Sequence, residues 1–419
     1  MSIGFFGKND VKEFKVKIVK PRISKFCKCP FCGMKQQFKK EKEHWKIVKD
    51  VDLDRPVLLK VRVVYAKCLN PKCPYKSFQL PIPDISKYAK ATNRLKSESI
   101  AGIVEDNSTC PRIAKRLNRS FNTTASRTTI DRWKHKEAEK YGFKEIIAKI
   151  GFSGILTVDE YKPKRSKTYD LIAGDAIKNK IFYISAIPLF FGRGHIEKFF
   201  RHLKVLGIEP WAIIFDLLTA FPKQAKKVWP EILIQFDYFH VMQWIHRYFK
   251  NAILRYRQEL KKQGGENKRA ELWEHKWRLL KNMDNWTLKD HRIISSLIED
   301  YSGTIVEDIL IFKQYLYEIF DNSETRKEAY CKRDSLHSET WWQHSWHLRQ
   351  VMKFLASWKF KYMITYLDHP EIPRTGNSEE LIRIWRQMEK VRYGFKTEKG
   401  RQDHLKLFQI SKYLGGKIN

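Results

Sequence analysis

The spacing of apolar residues divides the chain into stretches of different period. Residues 57–67, VLLKVRVVYAK, alternate apolar and polar positions, which predicts a strand with one face buried. Between 86 and 140 the period lengthens to three and four. SIAGIVEDN, TCPRIAKRL and TTASRTTIDRWKHKEAEKY read as three short amphipathic helices split by Asn, Ser and Thr. From Gly151 the character changes again. ILTVDEY, TYDLIAGD and KIFYISAIP are three successive strand-like runs. HIEKFFRHLKVLGIEP is an amphipathic helix stopped by Gly207 and Pro210, and two apolar strands, WAIIF and ILIQF, flank a short helix, KQAKKVWPE. The order β-β-β-α-β-α-β predicts an α/β fold, a mixed sheet with helices on its faces. Residues 240–370 carry helical periodicity with few strand signals, and a last helix with a basic continuation follows Pro373.

Composition narrows the partner. The chain has 419 residues, 42% hydrophobic and 14% aromatic, enough for two or three folded domains. Lys and Arg number 81 against 47 Asp and Glu, a formal charge of +34, which points to a polyanion, above all nucleic acid. No apolar run approaches the roughly 18 residues needed to span a bilayer. The N-terminal stretch lacks the continuous apolar core of a signal peptide. A cytoplasmic, nucleoid-associated location is therefore expected.

In that compartment the seven cysteines read as metal ligands rather than disulfides. Cys29 and Cys32 form C-x2-C, and Cys68 and Cys73 form C-x4-C beyond the alternating strand. Two short turns that each present two thiolates match the tetrahedral demand of a structural Zn2+, and the hairpin between them predicts a zinc ribbon. Cys27 is a spare thiol or an alternative to Cys29. In the three-helix stretch, SRTTIDRWKHK is placed as the third helix of a helix-turn-helix unit, with Arg127, Thr128, Arg132 and Lys134 facing DNA.

Two aspartates sit just past apolar strand cores, Asp159 in ILTVDEY and Asp216 in AIIFDLL. A carboxylate there is costly unless something positive neutralises it, and two on neighbouring strands repel unless a cation bridges them. Hard oxygen ligands suit Mg2+ or Mn2+. A third strand, ILIQF, ends in Asp237 with His240 three residues on, and continues as a basic, aromatic-rich helix.

This layout resembles the ribonuclease-H-like core of DDE transposases. Within that group the chain is similar to bacterial insertion-sequence transposases of the ISL type, related to the Mutator-like elements. The cysteine pairs, DYFHVMQWIHRYF, LLKNMDNW and KVRYGFK carry the resemblance by their order. It implies a catalytic triad of Asp159, Asp216 and, in TGNSEELIRIW, Glu380, with Glu379 the neighbouring competitor. It also implies Mg2+ or Mn2+ at those three carboxylates, and His240 beside the scissile phosphate rather than as a satisfied core histidine. Arg392 and Lys396, in the basic stretch after the glutamates, join the DNA-binding set. The implied domains are a zinc ribbon at 1–85 and a helix-turn-helix unit at 86–145. The catalytic core would occupy 146–245, a helical insertion 246–370, and the core's last helix with a basic tail 371–419. The implied reaction is cleavage of double-stranded DNA at element ends and joining of 3′-hydroxyls to target DNA by a homodimer or higher oligomer. A catalytically inactive DNA-binding regulator and a metal-dependent nuclease without strand transfer are the alternatives.

Overall fold

A computed structural model of the protein describes residues 15–21, 24–51, 57–121, 125–163, 166–188, 192–281, 285–392 and 394–416. The chain forms two compact units. One comprises Met1–Ile150 with Trp385–Asn419, the other Gly151–Ile384.

The first unit opens with six strands: β1 (Lys15–Val19), β2 (Phe26–Lys28), β3 (Lys35–Gln37), β4 (Lys40–Asp50), β5 (Val57–Lys67) and β6 (Ser77–Gln79). The alternating run 57–67 is indeed a strand, β5. It pairs antiparallel with β4 on one edge, while the other edge takes β1 in parallel at one end and β6 antiparallel at the other. β2 and β3 form a separate hairpin. Four helices follow: α1 (Asn93–Val104), α2 (Cys110–Phe121), α3 (Arg127–Ala138) and α4 (Phe143–Ile150). Each start is locally encoded where a cap exists. Thr92 accepts from the Leu95 N–H and itself donates to Asp50, tying α1 to the sheet, and Ser126 caps α3.

The second unit holds the predicted α/β order: β7 (Ile155–Tyr161), β8 (Thr168–Asp175), β9 (Lys180–Pro188), α5 (Arg193–Val205), β10 (Ala212–Phe215), α6 (Ala220–Val228) and β11 (Leu233–Phe236). The sheet runs β11-β10-β7-β8-β9. β7, β8 and β9 are an antiparallel meander, and β10 and β11 add in parallel to the other edge of β7. The parallel strands read as unbroken apolar runs because they lie inside the fold, and β10 is buried along its whole length. Helices α7 (Tyr238–Lys262), α8 (Glu266–Leu280), α9 (Leu288–Asp300), α10 (Ile305–Phe320), α11 (Arg326–Ser338), α12 (Trp346–Leu355) and α13 (Phe360–Met363) fill the region read as a helical block. Among the described residues no helix is long and apolar enough to cross a membrane.

Two boundaries depart from the sequence reading. The division placed at 245/246 falls inside α7, whose buried residues Val241, Ile245, Phe249, Ala252 and Ile253 keep one helical stripe across it. The segment 371–419 does not stay together either. It contains α14 (Ser378–Arg392) and α15 (Glu398–Leu414), and from Trp385 onward it belongs to the first unit. There α15 packs on α3 and α4, burying Leu405 and Phe408, and Lys399 pairs with Glu139 at 2.9 Å.

Candidate active site and candidate metal centre

Strand register brings the acidic residues together. Phe215 of β10 is level with Val158 of β7 and with Phe236 of β11. The next residues, Asp159, Asp216 and Asp237, therefore stand side by side, where β10 and β11 end and β7 runs on to Tyr161. Asp216 and Asp237 directly follow β10 and β11, while Asp159 lies within β7, two residues before its end; each follows an apolar run that fixes the register, so alignment of the runs aligns the carboxylates.

The three then take different roles. Asp237 is buried and caps α7, accepting from the Phe239 N–H at 2.9 Å and the Gly376 N–H at 3.0 Å. Burial pushes its carboxyl above the usual range. The cap sets the start of α7, and one turn in, His240 turns back toward the other two. Its Nε2 lies 3.8 Å from Asp159 Oδ2 and its Nδ1 3.7 Å from Asp216 Oδ1, ionic rather than hydrogen-bonding distances. Burial works against an imidazolium there, but the two carboxylates outweigh it and hold the ring up at about 9. Ligand atoms of Asp159, Asp216 and His240 all lie within 4.8 Å of one another.

Glu380 does not join this cluster. Its carboxylate takes both nitrogens of a fork from Arg383 at 2.7 Å, and that guanidinium holds its carboxyl below the usual range. The residue of α14 that reaches the site is Ser378, buried, whose hydroxyl donates to Asp159 Oδ2 at 2.8 Å. At about 100° per residue, Glu379 and Glu380 are rotated roughly 100° and 200° away from it. Glu379 is exposed.

Sequence reasoning missed Ser378 and also Glu160. Burial, with Asp159 and Asp216 nearby, pushes the Glu160 carboxyl up to about 7, and its buried Oε2 has no hydrogen-bond partner among the described residues. The signal for Glu160 was its adjacency to Asp159. Ser378 had none beyond standing beside the two glutamates.

A glycine lets α14 reach the sheet. A Cβ on Gly376 would lie 2.4 Å from Thr157 Oγ1 and 3.1 Å from Ile214 Cγ2, while its N–H serves Asp237. Gly376→Ala should push this segment off the sheet, lowering stability by about 1–3 kcal/mol, the usual cost of overpacking. Denaturant unfolding checks it; unchanged stability would mean that the segment moves aside freely.

The second cluster lies in the first unit. Sγ atoms of Cys29, Cys32, Cys68 and Cys73 all come within 4.8 Å of one another, with Cys29–Cys73 at 4.0 Å and Cys32–Cys68 at 3.7 Å. The two turns are also joined by Phe31 stacked on Tyr75, ring centroids 3.8 Å apart. A tetrahedral Zn2+ with Zn–S near 2.3 Å sets sulfur edges of about 3.8 Å, so the spacing fits. Cys27 lies on β2, outside the cluster.

Of the residues expected to face DNA, Arg127, Thr128, Arg132 and Lys396 are exposed. Lys134 is a correction. It is buried, paired with Asp131 at 3.1 Å, because it shares the inward face of α3 with Ile130, Glu137 and Ala138. The side chain of Arg392 lies outside the described residues.

Comparison with known proteins places this geometry in context. The family model of ISL3-type DDE transposases, described as transposase, matches residues 156–400, more than half of the chain. That span holds both aspartates, His240 and the first turn of α14, but neither the cysteine cluster nor α1–α3. A search of curated proteins found no match.

Proposed function

The chain belongs to the ISL3 family of DDE transposases, enzymes that act on nucleic acid with DNA as partner, and from that premise we propose that it cleaves DNA at the ends of an insertion sequence and joins the freed 3′-hydroxyls to target DNA. The observation that carries this reading is the meeting of Asp159, Asp216 and His240 within 4.8 Å, on and just beyond adjacent parallel strands and at the start of α7. The strand order β9-β8-β7-β10-β11, with only β8 antiparallel to its neighbours, supports a ribonuclease-H-like core.

Two carboxylates gathered at one edge are a hard-oxygen donor set suited to Mg2+ or Mn2+. Such ions, when bound as a pair, activate the attacking hydroxyl or water and stabilise the leaving oxygen. Asp159 and Asp216 would hold them. Ser378 orients Asp159, Asp237 fixes the start of α7, and His240 offers a donor to phosphate oxygens where charge develops. The third carboxylate is assigned to the first turn of α14, to Glu380 or to its neighbour Glu379; Glu380 would have to leave its fork with Arg383 and turn toward Asp159 when metal and DNA bind. The cysteine cluster would hold a structural Zn2+, and the α1–α3 unit would bind terminal repeats as a helix-turn-helix, with the protein assembled as a dimer or higher oligomer on DNA.

The test is cleavage of labelled duplex carrying the element's ends, with and without Mg2+. Cleavage without Mg2+ or Mn2+, or none with it, would sink the proposal. The same assay resolves the third ligand. Glu380→Gln is expected to abolish cleavage and Glu379→Gln to spare it; the reverse pattern moves the ligand one residue earlier. Ser378→Ala should reduce the rate without abolishing it, because the hydroxyl orients a ligand rather than serving as one, on the order of 10–100-fold.

A further inference from the structure

A groove runs through the first unit between the loop joining β6 to α1 and the exposed side of α3. Its volume is about 1480 Å³, above the ~300–1,000 Å³ of small-molecule sites, so it suits a section of a long ligand. Eight lysines and arginines line it against two carboxylates, Asp84 and Glu137. Four of the cations, Lys87, Lys90, Arg132 and Lys136, form no ion pair with a carboxylate among the described residues.

The loop that carries half of this charge is firmly built. The Lys49 N–H donates to Lys90 O at 3.1 Å, the Thr92 N–H to Lys49 O at 3.0 Å, and the Asn93 N–H to Asp84 O at 2.8 Å. Lys46 Nζ holds Ala89 O at 3.1 Å. Asp84 and Tyr88 adopt φ of 59° and 61°, a left-handed conformation that costs energy outside glycine. Tyr88 projects from the loop, 73% exposed. A fixed loop that holds Lys87 and Lys90 beside Arg132 and Lys136 presents concentrated positive charge for an anion to meet. Burial, and after it the neighbouring Lys90, lower the pKa of the Lys49 ammonium.

We propose that this groove seats the sugar–phosphate backbone of duplex DNA, beside the bases read by α3. The proposal rests on DNA being the partner, as the family requires. Arg132 belongs both to the groove wall and to the exposed face of α3, so the two surfaces are continuous. Phosphate contacts from the loop would fix position while side chains of α3 carry the sequence reading, the usual division of labour at such interfaces.

The experiment is fluorescence anisotropy of the full chain, in Mg2+-free buffer, on a labelled duplex carrying an element end and on an unrelated duplex of equal length, across a range of NaCl. The triple variant Lys87→Gln, Lys90→Gln, Lys136→Gln should bind both duplexes more weakly, on the order of ten-fold or more, with their ratio unchanged. Its log–log salt slope should flatten by about 0.9 for each phosphate that is no longer neutralised. The matching Lys→Arg triple should keep wild-type affinity, which separates charge from folding. Wild-type affinity and slope in the Gln triple would overturn the proposal. Repeating the titration in an Asp216→Asn background separates this site from the catalytic reading. Failure of cleavage chemistry leaves the groove's effect on binding in place.

Discussion

Replacing Asp159 or Asp216 by alanine should abolish strand cleavage while DNA binding persists. Asp159 lies in β7 and Asp216 directly follows β10 of the same sheet, and the register Phe215–Val158 fixes them next to each other. Removing either takes away a hard oxygen ligand and half of the charge that attracts a dication between them. The loss expected is on the order of 1000-fold or more, as for a member of a catalytic unit, and the double variant should lose no more than either single one. Binding should survive because deleting a negative charge cannot weaken attraction to a polyanion. His240→Ala should cost less, about 10–1000-fold, since it removes a donor to developing charge and leaves both carboxylates in place. Single-turnover cleavage with Mg2+, beside anisotropy on the same duplex, measures both quantities. Mg2+-dependent cleavage at wild-type rate in Asp159→Ala and Asp216→Ala would leave a DNA-binding regulator as the better reading.

The second large effect should come from the cysteine cluster. Elemental analysis of protein purified without chelator should find one zinc per chain. Removing it with a chelator should unfold the two turns and their hairpin. Four thiolates brought together without a cation repel, and the metal supplies apparent binding energies of about 10–16 kcal/mol in small zinc modules at neutral pH. Cys32→Ser should lose zinc and lower the unfolding temperature. Cys27→Ser should change neither, since that thiol lies outside the cluster. The Met34 backbone N–H, first among several donors, already draws the exposed Cys32 thiol down to about 6. Absence of zinc from the purified chain would remove the metal from this region and leave four reduced thiols.

Much of this is legible in the sequence because it depends on local order. Apolar runs that each end in an aspartate predicted strands, and the β-β-β-α-β-α-β sequence is the order observed in the second unit. The spacing of Cys29, Cys32, Cys68 and Cys73 selected the four sulfurs that converge, while Cys27, open in the sequence as an alternative to Cys29, lies outside the cluster. Asp237 followed by His240 marked a helix start beside the acids.

What the sequence left open depends on how one element docks against another. Periodicity fixes which residues of a helix share a face but not which way that face turns. On α3 it groups Lys134 with Ile130 and Ala138, yet only packing showed that group to be the inward one. On α14, which of Ser378, Glu379 and Glu380 faces Asp159 is set by Gly376 pressed against Thr157 and Ile214, a contact between segments distant in sequence. That contact fixes the rotation at which the helix begins, so Ser378 meets Asp159 and Glu380 turns to Arg383. The assignment of α15 to the first unit, and the basic groove beside α3, come from the same source. Both arise from surfaces that meet only after separate stretches of chain have folded, which no window along the sequence contains.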